Sequence, residues 1–274
     1  MRKVILNGRL IDENKANISI KNKGYFFDFA VYSSVKVIQG KIFFEKYHVD
    51  RLFESAKLIS LKHSFSKIKV RSWLKKLVKT EKIQDSLLRM VLIGDPDGKG
   101  DEKLFIFSVS GLTYHPSKLY SQGAKVITCD GERRIPKSKT KDLLMGFLAY
   151  TKAQKQGAID ALMIDRQGKI REGTRSSFFV VKEKTIIMPS AEKVLEGITK
   201  KIILKVTKDH FKIKIADISL KKIGNYDEFF LTSTSMNVMP IRQIDRKIVC
   251  TSFEKTRIIA KLFKKYYDDN VLKK

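Results

Sequence analysis

The stretch IREGTRSSFFVV, Ile170 to Val181, decides how the rest of the chain is interpreted. It places a carboxylate, Glu172, and several small hydroxyl residues directly before the apolar run SFFVV, which is typical of a buried strand. An ordinary exposed loop would account for such an acid. The alternative is a carboxylate held at a functional site, and the surrounding sequence distinguishes between the two.

The composition predicts a folded protein with two domains. The chain has 274 residues, of which 43% are hydrophobic and 31% charged, and it contains only 5 Pro and 15 Gly. The segment LTYHPSKLYSQG loses hydrophobic periodicity and contains Pro and Gly, which indicates a linker. We therefore expect a first domain over 1–111, a linker over 112–123 and a second domain over 124–274.

The net charge is strongly positive, because 56 Lys and Arg residues outweigh 29 Asp and Glu residues to give +27. Such a charge would attract nucleic acid or an anionic membrane. The basic residues are spread along the whole sequence, however, so a lysine-rich solvated surface is the simpler interpretation. A basic nucleic-acid-binding protein is kept as an alternative function.

Several common functions lack their sequence signatures. No GxGxxG, GxxxxGKS, HExxH or GxSxG motif occurs. Cys129 and Cys250 have no CxxC spacing and the four histidines are scattered, so we expect neither a metal site nor a disulfide framework. The N-terminus is not typical of a secretory signal, and no apolar run is long enough to cross a bilayer. We expect a cytoplasmic protein with no membrane partner.

Strand and helix patterns are mixed without βαβ alternation, which predicts an α+β fold. Hairpins turn at Asn7-Gly8 and at Gln39-Gly40, with KIFF as the returning strand of the second. Helices are predicted over YHVDRLFESAKLI, VRSWLKKLVKTEKI, LLMGFLAYTKAQKQG, ITKKIILKVTKDHF and FEKTRIIAKLFKKYY. In the second half, DALMID and SFFVV are predicted strands on either side of a loop that holds Glu172, in a domain that is barrel-like.

Three short motifs suggest anion binding or amine chemistry. LEGITKK opens a helix with Thr199 in its first turn, where free backbone N–H groups favour phosphate, although this is also an ordinary helix cap. The hydroxyl cluster TSTS, residues 232–235, either adds donors or satisfies a turn. In PKSKTKD, alternation places Lys137, Lys139 and Lys141 on one face and cannot choose among them.

Together and in this order, the motifs resemble the class IV aminotransferases. The resemblance rests on YHVDRLFESA, the lysine segment, DALMID, GKIREGTRSSFF, LEGIT and FFLTSTSMNVMPI, and it covers nearly the whole chain. These fold-type IV enzymes use pyridoxal 5′-phosphate (PLP) and include branched-chain and D-amino-acid aminotransferases and aminodeoxychorismate lyase. The resemblance implies a smaller α/β sandwich-like N-terminal domain, a larger pseudobarrel domain that binds PLP, and a homodimer.

The resemblance also implies roles for individual residues. Lys139, with Asp142 where Asn is common, would bind PLP covalently and later move the proton between Cα and C4′, with Lys137 as the fallback. Glu172 would keep the pyridine nitrogen N1 protonated, so that the ring can accept electrons from the substrate. Leu195 would pack against the ring or, alternatively, would be an ordinary leucine of the core.

Further contacts follow from the same resemblance. The phosphate ligands would be Arg51, Ile198, Thr199 and Thr234, with Ser233 as an additional candidate. The planar guanidinium of Arg51 is suited to binding phosphate. Alternatively, Arg51 would form a surface salt bridge. Tyr32 would face the substrate pocket or, alternatively, only the hairpin face. Arg89 and Lys99 are candidate contacts for a substrate carboxylate.

Departures from the family pattern leave the substrate open. Ser177 stands where Asn is usual, FDFAVYSSV lacks the common Gly and the acid after the aromatic, and the loop DPDGKGDEK has no Arg or His. We expect transfer of an amino group between a D-amino acid or a branched-chain L-amino acid and a 2-oxo acid such as 2-oxoglutarate or pyruvate. A lyase that releases pyruvate from aminodeoxychorismate is the alternative that keeps the cofactor.

Overall fold

The computed structural model of the protein describes residues 2–109, 112 and 115–273. The chain forms two compact units, Met1–Leu112 with Ser138–Asp142, and Thr113–Lys137 with Leu143–Lys274. Of the segment 112–123 that the sequence indicates as a linker, residues 113 and 114 lie outside the described part, as do residues 110 and 111 before it. Ser117–Gln122 in the same segment forms a short helix.

The first unit combines an antiparallel sheet with helices on one face. Its strands, in the described residues, are β1 (Lys3–Leu6), β2 (Arg9–Asp12), β3 (Ala30–Ile38), β4 (Lys41–Ile42), β5 (Ser86–Ile93) and β6 (Lys103–Val109). Their order in the sheet is β2-β1-β6-β5-β3-β4. The helices are α1 (Lys23–Phe26), α2 (Glu45–Leu58) and α3 (Lys67–Thr80), with a 3-10 turn at Glu13–Lys15. The core is formed by apolar side chains of α2, α3, β3, β5 and β6.

The two hairpin turns of the first unit follow from their sequences. Asn7 and Gly8 have φ angles of 48° and 85°, as a tight two-residue turn requires. Gly8 also has no room for a side chain, because an added Cβ would lie 2.5 Å from the Trp73 ring. The prediction that KIFF is the returning strand of the second hairpin was only half right. The strand ends at Ile42 because Phe44 adopts a left-handed φ of 51° and becomes the N-cap of α2.

The second unit contains a larger, mixed sheet with helices α4 (Ser117–Gln122), α5 (Leu144–Lys155), α6 (Ile198–Thr207) and α7 (Glu254–Tyr267). Its described strands are β7 (Ala124–Asp130), β8 (Ala161–Ile164), β9 (Lys169–Gly173), β10 (Ser177–Lys182), β11 (Thr185–Met188), β12 (Lys212–Ile215), β13 (Ile218–Ser219), β14 (Glu228–Ser233), β15 (Asn237–Ile244) and β16 (Lys247–Ile248). Short helical turns cover Leu220–Asn225 and Asp268–Leu272.

The strands of the second unit are ordered β12-β11-β10-β14-β15-β7-β8-β9-β13, and β16 pairs with β15. The pairs β11–β12, β15–β7 and β7–β8 are parallel and the others are antiparallel. One core contains Phe178 and Val180 of β10 together with Phe229 and Leu231 of β14. The α+β class expected from the sequence is confirmed.

Glu172 lies in a strand, so the prediction of a loop at this position was wrong. It is the fourth residue of β9, and four of the five residues in β9 are buried. Because β9 contains several polar residues, its sequence lacks the apolar pattern that predicts a buried strand. Arg171 is nevertheless fully buried because its guanidinium pairs with Asp165 and Asp217. A tight connection closed by the hydrogen bond from Gly173 N to Ser176 O (2.8 Å) then leads into β10.

Candidate active site

The lysine-bearing segment Ser138–Asp142 lies beside β3 in the first unit. The backbone N–H of Tyr32 donates to the carbonyl of Lys139 at 3.0 Å. Ser55 of α2 holds the segment as well, since its Oγ accepts from Lys139 N at 3.0 Å and its carbonyl accepts from Ser138 Oγ at 2.9 Å. The amine of Lys139 lies 4.5 Å from the centroid of the Tyr32 ring. Two predicted site residues, Lys139 and Tyr32, are thus in contact.

The other two lysines of PKSKTKD have different surroundings. Nζ of Lys137 lies 2.6 Å from a carboxylate oxygen of Glu192, and Nζ of Lys141 lies 2.5 Å from one of Asp28. Both are solvent-accessible ion pairs of the kind that contribute little to stability. Lys141 also lies near an aromatic ring, 5.3 Å from the centroid of Tyr25, so Lys139 differs from it in that its ring belongs to Tyr32, another predicted site residue.

Arg51 projects from α2 within the same unit and is hydrogen-bonded to buried groups. Its Nη2 donates to Ser33 Oγ at 3.0 Å, and that hydroxyl lies 3.2 Å from Nδ1 of His48. Burial, and then the positive charges of Arg51 and Lys139, hold the pKa of the His48 imidazole well below its usual value. This contact is a hydrogen bond to a buried hydroxyl, whereas the alternative prediction for Arg51 was a surface salt bridge.

Arg89 of β5 lies on the sheet face that also carries Tyr32. Its direct cross-strand partner is Ser34, which is two residues from Tyr32 and therefore points to the same side. Nε of Arg89 is buried and has no hydrogen-bond partner among the described residues. Lys99, in contrast, is an exposed residue of the connection between β5 and β6.

Glu172 is a buried and hydrogen-bonded acidic group of the second unit. Its Oε1 accepts hydrogen bonds from Nε of Arg133 at 2.9 Å and from the backbone N–H of Leu195 at 3.3 Å. The side chains of Arg133 and Glu172 are 11% and 5% exposed. Burial lowers the pKa of nearby Lys200, and the charges of Glu196 and Glu172 oppose that shift. Two predicted site residues, Glu172 and Leu195, are therefore in contact. Glu172 is buried in a strand, so it is not the exposed loop acid that was the alternative interpretation.

The N-terminus of α6 has the features of an anion site. Gly197 is its N-cap and provides no side-chain hydrogen bond to the first turn, which begins with Ile198 and Thr199. The backbone N–H groups of such a turn need partners, and they favour negative charge. An added Cβ at Gly197 would lie 2.7 Å from Ser177 Oγ, so a larger residue would require that hydroxyl to move.

The TSTS motif begins on β14 and ends in the turn that follows it. Oγ1 of Thr232 is buried and has no hydrogen-bond partner among the described residues. The hydroxyl of Ser233 lies 3.2 Å from Ser235 Oγ and accepts from Met236 N at 3.2 Å, so it contributes to the turn. Thr234, the predicted phosphate ligand, is half-buried in that turn.

Sequence reasoning did not identify Ser33, His48, Ser55 or Arg133. One signal was available for His48, because it precedes Arg51 by three residues and must share a face of α2 with it. No local pattern could have identified Arg133, whose partner is 39 residues away in sequence.

Comparisons with known proteins identify the family of this chain. The family Amino-transferase class IV matches residues 30–244. A putative branched-chain-amino-acid aminotransferase of Methanocaldococcus jannaschii is 26% identical and covers 97% of this chain and 96% of its own length. A D-alanine aminotransferase of Bacillus licheniformis is 30% identical over 90% of each chain. The branched-chain amino acid aminotransferase of Escherichia coli has the same fold, with a TM-score of 0.88, 20% identity and coverage of 97% and 94%.

The chain therefore belongs to the class IV aminotransferases. Enzymes of this family use PLP, and this protein is a PLP-dependent aminotransferase that acts on an amino acid and a 2-oxo acid. The residues present fit the cofactor. The start of α6, which has no side-chain cap, and the Thr232 hydroxyl, which has no partner in the described part of the chain, suit a phosphate, and the buried Glu172 suits a protonated ring nitrogen. Neither the lyase nor the nucleic-acid-binding alternative is favoured. In the part of the chain that the structure describes, no helix is long and apolar enough to cross a membrane.

Proposed function

We propose that the enzyme transfers an amino group between a D-amino acid or a branched-chain L-amino acid and a 2-oxo acid such as 2-oxoglutarate or pyruvate. The observation that carries this proposal is the amine of Lys139 at 4.5 Å from the Tyr32 ring, on a sheet face that also carries the cationic Arg89. Such a face suits an amino donor, whose amine would be exchanged at Lys139, and an acceptor such as 2-oxoglutarate, whose distal carboxylate Arg89 would bind. Relatives named for both substrate classes support the two possibilities equally.

Lys139 is the proposed catalytic lysine. Its amine would form the covalent link to PLP and, once the substrate amine replaces it, would be free to remove the proton from the substrate Cα. The backbone contacts of Lys139 to Tyr32 and Ser55 support this role, because they fix the position from which the side chain reaches. Lys137 and Lys141 are the control positions, since their amines pair with carboxylates.

Glu172 is the proposed partner of the pyridine nitrogen N1. When bound, PLP supplies a ring that accepts the electron pair released at the substrate Cα. A carboxylate is suited to hold a proton at N1, which a neutral partner would not do. Arg133 and the N–H of Leu195 keep the Glu172 carboxylate in one orientation, which supports the assignment. Leu195 is also the proposed apolar contact to the ring.

The phosphate of PLP is the proposed ligand of the remaining cofactor-binding residues. We assign to it the guanidinium of Arg51, the first-turn N–H groups and hydroxyl at the start of α6, and the hydroxyls of TSTS. The residues are Arg51, Ile198, Thr199, Thr234 and Ser233. The uncapped first turn of α6 supports this assignment, because its N–H groups and dipole favour a dianion.

The proposed substrate contacts are Tyr32, Arg89 and Lys99. The buried Nε of Arg89, unpartnered among the described residues, supports a role as a carboxylate ligand. A buried donor of this kind costs free energy unless a ligand satisfies it. Lys99 is the weaker candidate because it is exposed.

The proposal includes a cytoplasmic homodimer. On α5, Leu144, Phe147 and Leu148 are 68%, 62% and 58% exposed and share one helix face through their i, i+3 and i+4 spacing. Apolar faces of this kind mark interaction surfaces. Light scattering of the purified protein should give twice the chain mass of 31.5 kDa, and Phe147→Glu should shift it towards the monomer.

The absorption spectrum of the purified protein with PLP tests the proposal. A visible band of the lysine-bound cofactor is expected, and either D-alanine or L-leucine should abolish it, which would identify the donor class. Addition of 2-oxoglutarate or pyruvate should restore it. A protein that bound PLP but left the band unchanged with D-alanine, L-leucine and L-glutamate would contradict the proposed substrates.

A further inference from the structure

A buried hydrogen-bonded chain connects Arg51 to His48 through Ser33. Nη2 of Arg51 donates to Ser33 Oγ at 3.0 Å, so that oxygen is an acceptor in this contact. A serine hydroxyl has one hydrogen. The same oxygen lies 3.2 Å from His48 Nδ1, and burial keeps that imidazole neutral, so the nitrogen can accept the hydrogen of Ser33. In this direction the chain runs from Arg51 as donor to Nδ1 of His48 as the last acceptor.

This direction requires a neutral imidazole. Nδ1 can accept only when it carries no proton, which places the single ring proton of His48 on Nε2. The environment favours this form, because His48 is 1% exposed and burial with two nearby cations depresses its pKa. A charged His48 would both reverse the hydrogen bond and add a third positive charge beside Arg51 and Lys139.

We propose that Ser33 and His48 are positioning residues for the Arg51 guanidinium, and that this buried pair sets the affinity of the enzyme for the phosphate group of PLP. The inference rests on the proposed function, in which Arg51 binds that phosphate. Neither Ser33 nor His48 touches the cofactor in this proposal. They act by holding one amino group of the Arg51 guanidinium in place. Because the guanidinium is planar and rigid, the directions of its other N–H groups are then fixed as well.

The chemistry of the pair explains why a neutral acceptor suits this position. In the family pattern an acid is common at residue 33, and FDFAVYSSV has Ser33 there instead. A carboxylate would form an ion pair with Arg51 and would offset part of its charge. A hydroxyl backed by a neutral imidazole orients the guanidinium and leaves its full charge for a dianionic ligand. Ser33 is fully buried, so water cannot replace the contact.

The test compares PLP with pyridoxal, which has the same aldehyde and ring but no phosphate. Cofactor-free protein is titrated with each compound, and the visible absorbance of the lysine-bound form gives the two dissociation constants. The variants are Ser33→Ala, His48→Leu and the conservative Ser33→Thr. Ser86→Ala is the matched control, because Ser86 is a buried serine of the same sheet whose hydroxyl bonds to Ser108 and Val109.

Ser33→Ala and His48→Leu should weaken PLP binding about tenfold or more, as expected for loss of a hydrogen bond to a charged group, with pyridoxal binding unchanged. Ser33→Thr should restore the preference for PLP, and Ser86→Ala should keep it. Equal losses for PLP and pyridoxal would show a purely structural role and overturn the inference. A wild-type protein that binds pyridoxal as tightly as PLP would instead contradict the phosphate role of Arg51, and with it the proposed function.

Nitrogen chemical shifts of His48 in the cofactor-free protein give a second readout that does not depend on the variants. A neutral ring protonated on Nε2 at pH 7 is expected. A doubly protonated ring, or a proton on Nδ1, would overturn the inference even if every variant failed to fold.

Discussion

Nε of Arg133 lies 2.9 Å from Oε1 of Glu172, and the two side chains are 11% and 5% exposed. Two opposite charges at this depth depend on each other, because either one alone would be desolvated without compensation. The pair lies within one unit and needs no cofactor to form. Its energetic contribution can therefore be measured separately from catalysis.

Arg133→Met should lower the free energy of unfolding of the cofactor-free protein by about 3 kcal/mol, because it leaves the Glu172 carboxylate buried without its cation. Adding Glu172→Gln to that variant should recover part of the loss. Urea unfolding at pH 7 of the wild type, both single variants and the double variant completes the cycle. Strictly additive losses would show that the two side chains do not interact.

Glu172→Gln should keep PLP bound but slow removal of the substrate proton, since a neutral amide does not hold the proton on N1. The expected loss in the rate of the first half-reaction is at least tenfold. Stopped-flow decay of the visible band measures it directly, with deuterium at the substrate Cα as a check that proton removal limits the rate. A variant as fast as the wild type would rule out the N1 role.

Lys139→Ala should abolish both the visible band and nearly all turnover, because it removes the amine that is proposed to form the covalent link. Lys137→Ala and Lys141→Ala are the matched controls from the same segment. Both should keep the band, since they remove only solvent-accessible ion pairs. Retention of the band in the Lys139 variant would move the assignment to one of the two neighbours.

Lys36 of β3 should make stability depend on alkaline pH. Burial lowers its pKa to about 8 from 10.5. Between these two values the unfolded chain holds the proton and the folded protein does not, so the free energy of unfolding should rise with pH across this window, by about 3 kcal/mol in total. Lys36→Met should remove the rise, whereas replacement of the exposed Lys57 should not. Urea midpoints at pH 7.5, 9 and 10.5 provide the comparison.

Arg89→Gln should raise KM for glutamate about tenfold or more and leave KM for L-leucine or D-alanine nearly unchanged, if the guanidinium meets a distal carboxylate. Steady-state kinetics with the three donors decide this. Lys99→Gln serves as the comparison. If that variant alone shows the selective loss for glutamate, the contact belongs to the loop and not to β5.

Sequence patterns predicted the elements that rest on local rules. The positive φ angles at Asn7 and Gly8, and the start of α6 after Gly197, follow from turn and capping chemistry within a few residues. The family and its cofactor followed from the order of several such motifs along the chain. The site assignments that rest on the resemblance stay predictions until the variants are measured.

The parts that sequence could not supply depend on long-range contacts. Glu172 was expected in a loop because its polar neighbours resemble one, whereas ion pairs to distant residues allow them to be buried in β9. Likewise, alternation placed three lysines on one face, and only their long-range partners differ: Glu192 for Lys137, Asp28 for Lys141 and the Tyr32 ring for Lys139. Side-chain partners separated by many residues carry no periodic signal.

The residues that build the first unit are not contiguous, because Ser138–Asp142 belongs to it with Met1–Leu112. An expression fragment that ends at Leu112 would lack the strand-like segment that accepts the Tyr32 N–H and would expose Ser55 of α2. A second fragment that begins at residue 113 would carry Lys139 without the β3 strand that supports it. Neither half of the gene should therefore encode a stable domain, and complementation should succeed only when both halves are produced in the same cell.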